Sequence, residues 1–314
     1  MILSRRTLIA GVAALPVAAL AAPDYAILPV PLADGVWMIR GADGPIEPAN
    51  GGAIANIAII ATPAGTVLID CGPSVRYARA LKAVAEKLTG MPVIRVYLTH
   101  LHPDHGLGAA AFDPAIVSAL PGTIDALRAA GQGYADAMYR ILNDWMRGTD
   151  VVLPGKPITT DAELFGGRSL KLLALSGHSG ADLAILDERS GLLIGGDLVF
   201  HDPAPSTPTA DLPRWRASLD RLRTLPHGGL VPGHGPFDAG GTASIAQTRD
   251  WLNWLDGALT QAVAEGLDMV EAGELPIPDH FATMTAARYE LQRSVSHLYP
   301  VIEARLLPRI DMPD

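Results

Sequence analysis

The stretch Thr99-His100-Leu101-His102-Pro103-Asp104-His105-Gly106 places three imidazoles and a carboxylate within six residues. Such a set suits Zn²⁺ or a similar borderline cation, whose usual donors are imidazole nitrogens and carboxylate oxygens. His100 and His102 stand two apart, so at the end of an extended strand they share a face and can point at one ion. Pro103 turns the chain, which lets Asp104 and His105 address a second position beside the first. A solvated polar turn rich in histidine is the plain alternative. Partners elsewhere in the chain weigh against it.

Those partners come in order. His178 lies in Ser176-Gly177-His178-Ser179-Gly180-Ala181-Asp182, Asp197 in Gly195-Gly196-Asp197, and His234 in Val231-Pro232-Gly233-His234-Gly235-Pro236. Each follows a short apolar run (170–175, 192–194 and 230–231) and is flanked by glycines that let backbone crowd a site. Taken singly, each is an ordinary loop histidine or turn aspartate; as a set they point to one centre.

The elements that must position these side chains are also readable. Residues 93–98 form an apolar run that reads as a buried strand leading into the histidine motif, with Gly106 and Gly108 breaking the extended pattern after it. Residues 36–40 read as an edge strand and 41–52 as a loop. Residues 54–60 and 66–69 read as two strands joined by the Pro63-Ala64-Gly65 hairpin signal. Ser74 caps an expected helix in which Val75, Ala78, Leu81, Ala85 and Leu88 face a core. Strand, helix and strand in that order predict an α/β layered fold. Residues 123–148 have helical composition, with Met138, Ile141, Leu142 and Trp145 suitably spaced. This segment either caps the cleft and contacts substrate or is an outer helix. The second half repeats the strand theme at 170–175, 183–186, 192–194 and 230–231, with a turn at 187–191.

Over 35–237 the chain resembles the metallo-β-lactamase superfamily of metal-dependent hydrolases, on the pattern H-x-H-x-D-H, then H, then D, then H. The resemblance implies a four-layer αββα sandwich with the metals at one open edge and a C-terminal helical extension. It implies two Zn²⁺ per chain, with Fe or Mn as possible substitutes. His100, His102 and His178 would hold the first; Asp104, His105 and His234 the second; Asp197 would bridge both. Asp70, in Asp70-Cys71-Gly72, matches an aspartate that hydrogen-bonds a ligand imidazole from behind, the alternative being a turn-forming aspartate. The implied reaction is attack by a metal-activated hydroxide, oriented by Asp104, on an ester, thioester, lactone or amide carbonyl of a small-molecule substrate. True β-lactamases of the family usually carry another residue at the Asp197 position, so the aspartate here resembles the glyoxalase II-type and lactonase branches. The N-terminal leader, the segment 195–200 and the helical tail look most like the quinoprotein relay system zinc metallohydrolases, exported proteins associated with quinoprotein dehydrogenases. A glyoxalase II-like thioesterase, a β-lactam hydrolase, an iron-dependent persulfide dioxygenase and a non-enzymatic metal-binding accessory protein are the competing readings. His201, four residues after Asp197, is either a proton donor or substrate contact in the cleft or a surface histidine.

The chain has 314 residues and 49% hydrophobic content, enough for one large domain or a domain with an appended piece. Arg5 and Arg6 precede an alanine-rich apolar run and Ala19-Leu20-Ala21, so 1–22 reads as a twin-arginine-like export signal. An ordinary secretory signal or a cytoplasmic N-terminus with chance arginines is the alternative. Export predicts a periplasmic or secreted protein with no stable membrane anchor after cleavage. Loss of both arginines takes the net charge from −9 to −11, which disfavours nucleic acid as a partner. The single cysteine, Cys71, precludes a disulfide within the chain and reads as a packed small residue. We assign 23–240 to the main domain and 241–314 to the helical extension. In the extension Ile245, Leu252, Leu255 and Leu259 mark one apolar face, with Leu291, Val295 and Leu298 on a last stripe that Pro300 should end or kink. That tail packs on the domain, covers the cleft or makes a homodimer contact.

Overall fold

The computed structural model describes residues 24–307; the expected export leader lies outside them. Among the described residues, twelve strands form two sheets. The first contains β1 (Pro29–Ala33), β2 (Val36–Ile39), β3 (Ile57–Thr62), β4 (Gly65–Ile69), β5 (Val93–Tyr97), β6 (Val117–Ala119) and β7 (Lys156–Pro157), side by side in chain order. Neighbours from β1 to β4 are antiparallel. From β4 to β7 they are parallel, as crossover connections require. The second sheet contains β8 (Ala162–Phe165), β9 (Arg168–Leu175), β10 (Asp182–Asp187), β11 (Leu192–Phe200) and β12 (Gly229–His234). Only its β11–β12 pair is parallel.

The crossovers supply helices. α1 (Val75–Thr89) starts at Ser74, whose hydroxyl accepts from the Tyr77 N–H, and ends on Gly90 in a left-handed conformation. A one-turn α2 (Pro103–Gly106) has proline at its first position, where the missing N–H costs nothing. α3 (Pro121–Leu142) runs into a 3₁₀ turn at Asn143–Met146, so the helical composition at 123–148 is two pieces. After them come α4 (Leu212–Thr224), α5 (Ala243–Ala264), α6 (Met269–Gly273), α7 (Asp279–Ala282) and α8 (Ala287–Leu306).

Strand alternation explains the layering. On β3, Ile57 and Ile59 join Tyr77, Leu81 and Leu127 under α1 and α3, while Ala58 and Ile60 join Leu170, Ile185 and Ile194 between the sheets. With both faces covered, such strands read as continuous apolar runs. The outer face of the second sheet shares one core with Trp215 of α4, Leu252 and Leu255 of α5 and Leu291 and Val295 of α8. The order is helices, sheet, sheet, helices, and the C-terminal helices belong to the last layer. A buried ion pair also ties the sheets. Arg168 contacts Asp187 at 2.5 Å and donates to the Ala61 carbonyl of the first sheet at 2.8 Å. Removing one partner of such a pair costs about 3–5 kcal/mol.

Three local expectations are corrected. The 36–40 strand is not an edge, because β1, rich in proline and therefore weak as a strand signal, pairs outside it. The 192–194 run continues as a strand to Phe200, so Asp197 lies within β11 and not after it. Pro300 does not end the last helix, which continues to Leu306. Packing of Leu298, Tyr299 and Ile302 into the core outweighs the one backbone hydrogen bond that proline forfeits.

Candidate metal centre

The parallel strand β5 delivers Thr99, His100, Leu101 and His102 to the sheet edge, and α2 then folds Asp104 and His105 back beside them. The His100 ring centroid lies 4.6 Å from that of His102 and 4.5 Å from that of His105. Asp70 sits behind them at the end of β4, at φ +64°, a left-handed conformation in which aspartate is over-represented. Its Oδ1 accepts from the Thr99 N–H at 2.8 Å. Its Oδ2 accepts from the Thr99 hydroxyl at 2.8 Å and from His105 Nδ1 at 2.7 Å. Thr99 Oγ1 in turn lies 3.0 Å from His100 Nδ1. One carboxylate therefore fixes two imidazoles with their Nε2 atoms forward, directly for His105 and through Thr99 for His100.

The second sheet supplies the other side. His178 follows β9, Asp197 lies within β11, and His234 is the last residue of β12. The β11–β12 register shifts on both sides of Gly196, whose φ of +52° swings the chain at Asp197 out of regular pairing. Gly233 is required by proximity, since a Cβ there would meet Asp197 Oδ1 at 2.0 Å. Asp197 faces both donor groups. Its Oδ1 lies 2.9 Å from His105 Nε2 and 3.3 Å from His234 Nε2. Its Oδ2 lies 3.3 Å from His178 Nε2 and 3.6 Å from His100 Nε2. Asp104 Oδ2 completes the second group, 3.4 Å from His234 Nε2.

Two donor sets result: His100, His102, His178 and Asp197, and beside it Asp104, His105 and His234. Within each, the ligand atoms all lie within 4.8 Å of one another, and every residue is buried. The electrostatics suit cations. Burial holds His100 and His178 well below the ordinary imidazole range and pulls His102 down to about 4, so all three are neutral, lone-pair donors at neutral pH. His105 runs the other way. Against burial, the carboxylates of Asp197, Asp70 and Asp104 hold it well above its usual value. His100 Nε2 is buried with no hydrogen-bond partner among the described residues, and His178 Nε2 lies only 2.8 Å from His102 Nδ1. Buried orphan donors and crowded imidazole nitrogens are the arrangement a bound cation satisfies.

The centre forms the floor of a cavity of about 280 Å³. Its walls come from the 41–52 loop, from α3 (Tyr134, Met138, Ile141), from Phe200 to Pro208, and from α8. His201 is not among its lining residues; it is half-buried, with Nδ1 2.9 Å from the Pro236 carbonyl oxygen. Cys71 is fully buried and packs under α1, its thiol pushed well up by burial. Sequence reasoning missed Asn56, which clamps the His234 loop. Its amide donates to the Pro232 and Gly235 carbonyls at 2.9 and 2.8 Å and accepts from the Gly41 N–H at 3.0 Å. A polar residue just before an apolar strand was the only available signal. Phe200, stacked 5.1 Å from the His234 ring, lies beyond the strand end expected at 194 and carries no ligand-type signal of its own.

Comparisons with known proteins fit this picture. The sequence model of the metallo-beta-lactamase superfamily matches residues 50–234, more than half of the chain. A linear primary-alkylsulfatase from Pseudomonas sp. (strain ATCC 19151) is 23% identical over 280 residues, covering 76% of this chain and 53% of that protein. A beta-lactamase-like protein 2 homolog from Caenorhabditis elegans is 26% identical over 183 residues, covering 58% and 56%. The chain thus spans about half the length of the curated relatives it matches. Among solved structures, a metallo-beta-lactamase from Pontibacter korlensis shares the fold with a TM-score of 0.58 at 21% identity, covering 72% of this chain and 98% of that one. A double mutant of the sec-alkyl sulfatase PisA1 reaches a TM-score of 0.64 at 20% identity, covering 86% of this chain and 50% of that one. With the family pattern matched across both sheets, this chain belongs to the metallo-β-lactamase superfamily of metal-dependent hydrolases.

Proposed function

We propose that this protein is a binuclear zinc hydrolase that cleaves a compact ester, thioester, lactone or amide in the cavity above the two donor sets. The observation that carries the reading is Asp197, whose two carboxylate oxygens each face a different set. His100, His102 and His178 would hold one cation, Asp104, His105 and His234 the other, with Asp197 shared. When bound, such a pair acidifies water and polarises the bond under attack. The chain's own residues do the rest. Asp70 and Thr99 keep His105 and His100 in the tautomers that present Nε2. Asp104 lines the cavity and in this reading would orient the nucleophile. Phe200, Met138 and Ile54 exclude bulk water and seat an apolar substrate body. The reading includes export: the Arg5-Arg6 leader would deliver a loaded protein to the periplasm, with a quinoprotein system as its setting.

Sulfate-ester cleavage is the second reading. It is favoured by the alkylsulfatase relative and by the sec-alkyl sulfatase likeness, which takes in more of the chain than the β-lactamase one. Metal analysis of the purified protein, with a turnover screen of esters, thioesters, lactones, β-lactams and alkyl sulfates, tests both. Two zincs per chain and carbonyl turnover lost in Asp104→Ala are expected. One iron per chain, or no turnover in any class, overturns the proposal.

A further inference from the structure

Outside the donor cluster, the charged side chains lining the cavity are Glu290 and Arg293, one turn apart on α8. Arg293 Nη1 donates to Ser206 Oγ at 2.8 Å and, at 3.4 Å, approaches Glu290 Oε1. Its Nε and Nη2 have no protein acceptor among the described residues. Glu290 is 6% exposed, and its Oε2 is buried without a partner. Burial raises the Glu290 carboxyl above its usual range, against the pull of Arg293. Arg293 lines the same cavity as His102, Asp104, Asp197 and His234. The remaining wall is largely apolar, from Ile46, Ile54, Met138 and Phe200.

We propose that Arg293 is a specificity-determining residue that receives an oxyanion on the substrate, a carboxylate or sulfate, so that the site selects compact amphiphiles with one negative end. This rests on the hydrolase reading above. A guanidinium with free donors offers the planar fork that matches carboxylate and sulfate oxygens. A chain of net charge −9 repels anions at long range, so the guanidinium acts at close range, seating the anionic end of a substrate on the wall away from the donor sets. Ser206 and Glu290 hold the fork in place, which reduces the ordering cost of binding. The C-terminal helical layer thus contributes selection to a site whose chemistry lies elsewhere.

The test compares p-nitrophenyl butyrate, neutral, with mono-p-nitrophenyl succinate, anionic, on the zinc-loaded protein. The unaltered protein should favour the succinate. Arg293→Gln should raise KM for the succinate about 10–100-fold more than for the butyrate, the factor expected for a charged hydrogen bond, with the change in KM and not kcat. Arg293→Lys should restore part of the preference, and Glu290→Gln should keep or strengthen it. Calorimetric titration with butane-1-sulfonate gives a readout independent of turnover, its affinity falling by a similar factor in Arg293→Gln. An unchanged succinate-to-butyrate ratio and unchanged sulfonate affinity in Arg293→Gln overturn the proposal. So does a preference for butyrylcholine that Glu290→Gln abolishes. If neither ester is turned over, the sulfonate titration alone decides the role of Arg293, and the hydrolase reading is decided by the wider substrate screen. Should Arg293→Gln not fold, by circular dichroism, Arg293→Lys carries the same comparison.

Discussion

The floor and the walls of the cavity are built on opposite plans. The floor consists of buried polar side chains from both sheets and α2, three of them held by a second residue: His105 by Asp70, His100 by Thr99, the His234 loop by Asn56. The walls are mainly apolar side chains on helices and loops, and several, such as Ile141 and Tyr289, are substantially exposed. A polar cluster in a low-dielectric setting tolerates little displacement, because each unsatisfied group costs its full desolvation. An apolar wall gains or loses energy by area and can vary gradually. Reaction chemistry and substrate choice are therefore separable in this molecule, and substitutions should sort accordingly.

The largest effect is expected for Asp197→Ala, which removes a ligand from both donor sets at once. Metal content should fall below two per chain and turnover by about 10³-fold or more, the scale of a major electrostatic contribution. Elemental analysis and kinetics on one preparation check it; full metal content would break the idea of a shared carboxylate. Asp70→Ala comes next. It touches no cation but frees His105 and Thr99, so metal affinity or activity should drop about 10–100-fold, as measured by competition with a chelator. Retention of wild-type affinity would show that the imidazoles are oriented by packing alone. The smallest effect belongs to the wall. Ile141→Ala, at a side chain 46% exposed, should raise KM a few-fold for substrates with an apolar body, about 0.8 kcal/mol per methylene uncovered, and leave kcat and metal content alone. A loss of metal on this change would blur the division between floor and walls.

Legibility in the sequence followed the same division. The floor was readable because ligand chemistry demands rare residue types at strand ends, and the His100–His105 cluster has few other uses. The layered fold was readable from apolar runs such as β3 and from the Ser74 cap, since both are local signals. The walls were not. Glu290 and Arg293 sit in a helix whose charges look solvated, and only the packing of α8 against α5 and the 206–207 segment brings them to a cavity shared with His102. Asn56 was hidden for a related reason: its partners lie about 180 residues further along. The extent of β11 was underread because Gly195 and Gly196 resemble a strand end, when they form an irregularity within the strand.

Both donor sets draw on both sheets. His100, His102, Asp104 and His105 come from the first half of the chain, His178, Asp197 and His234 from the second. A nascent chain that has completed only its first sheet offers an incomplete nest to any ion, and full coordination waits until residues far apart in sequence have met. Loading with metal is thus a report on finished assembly, and the ions, once seated, rivet one half of the molecule to the other.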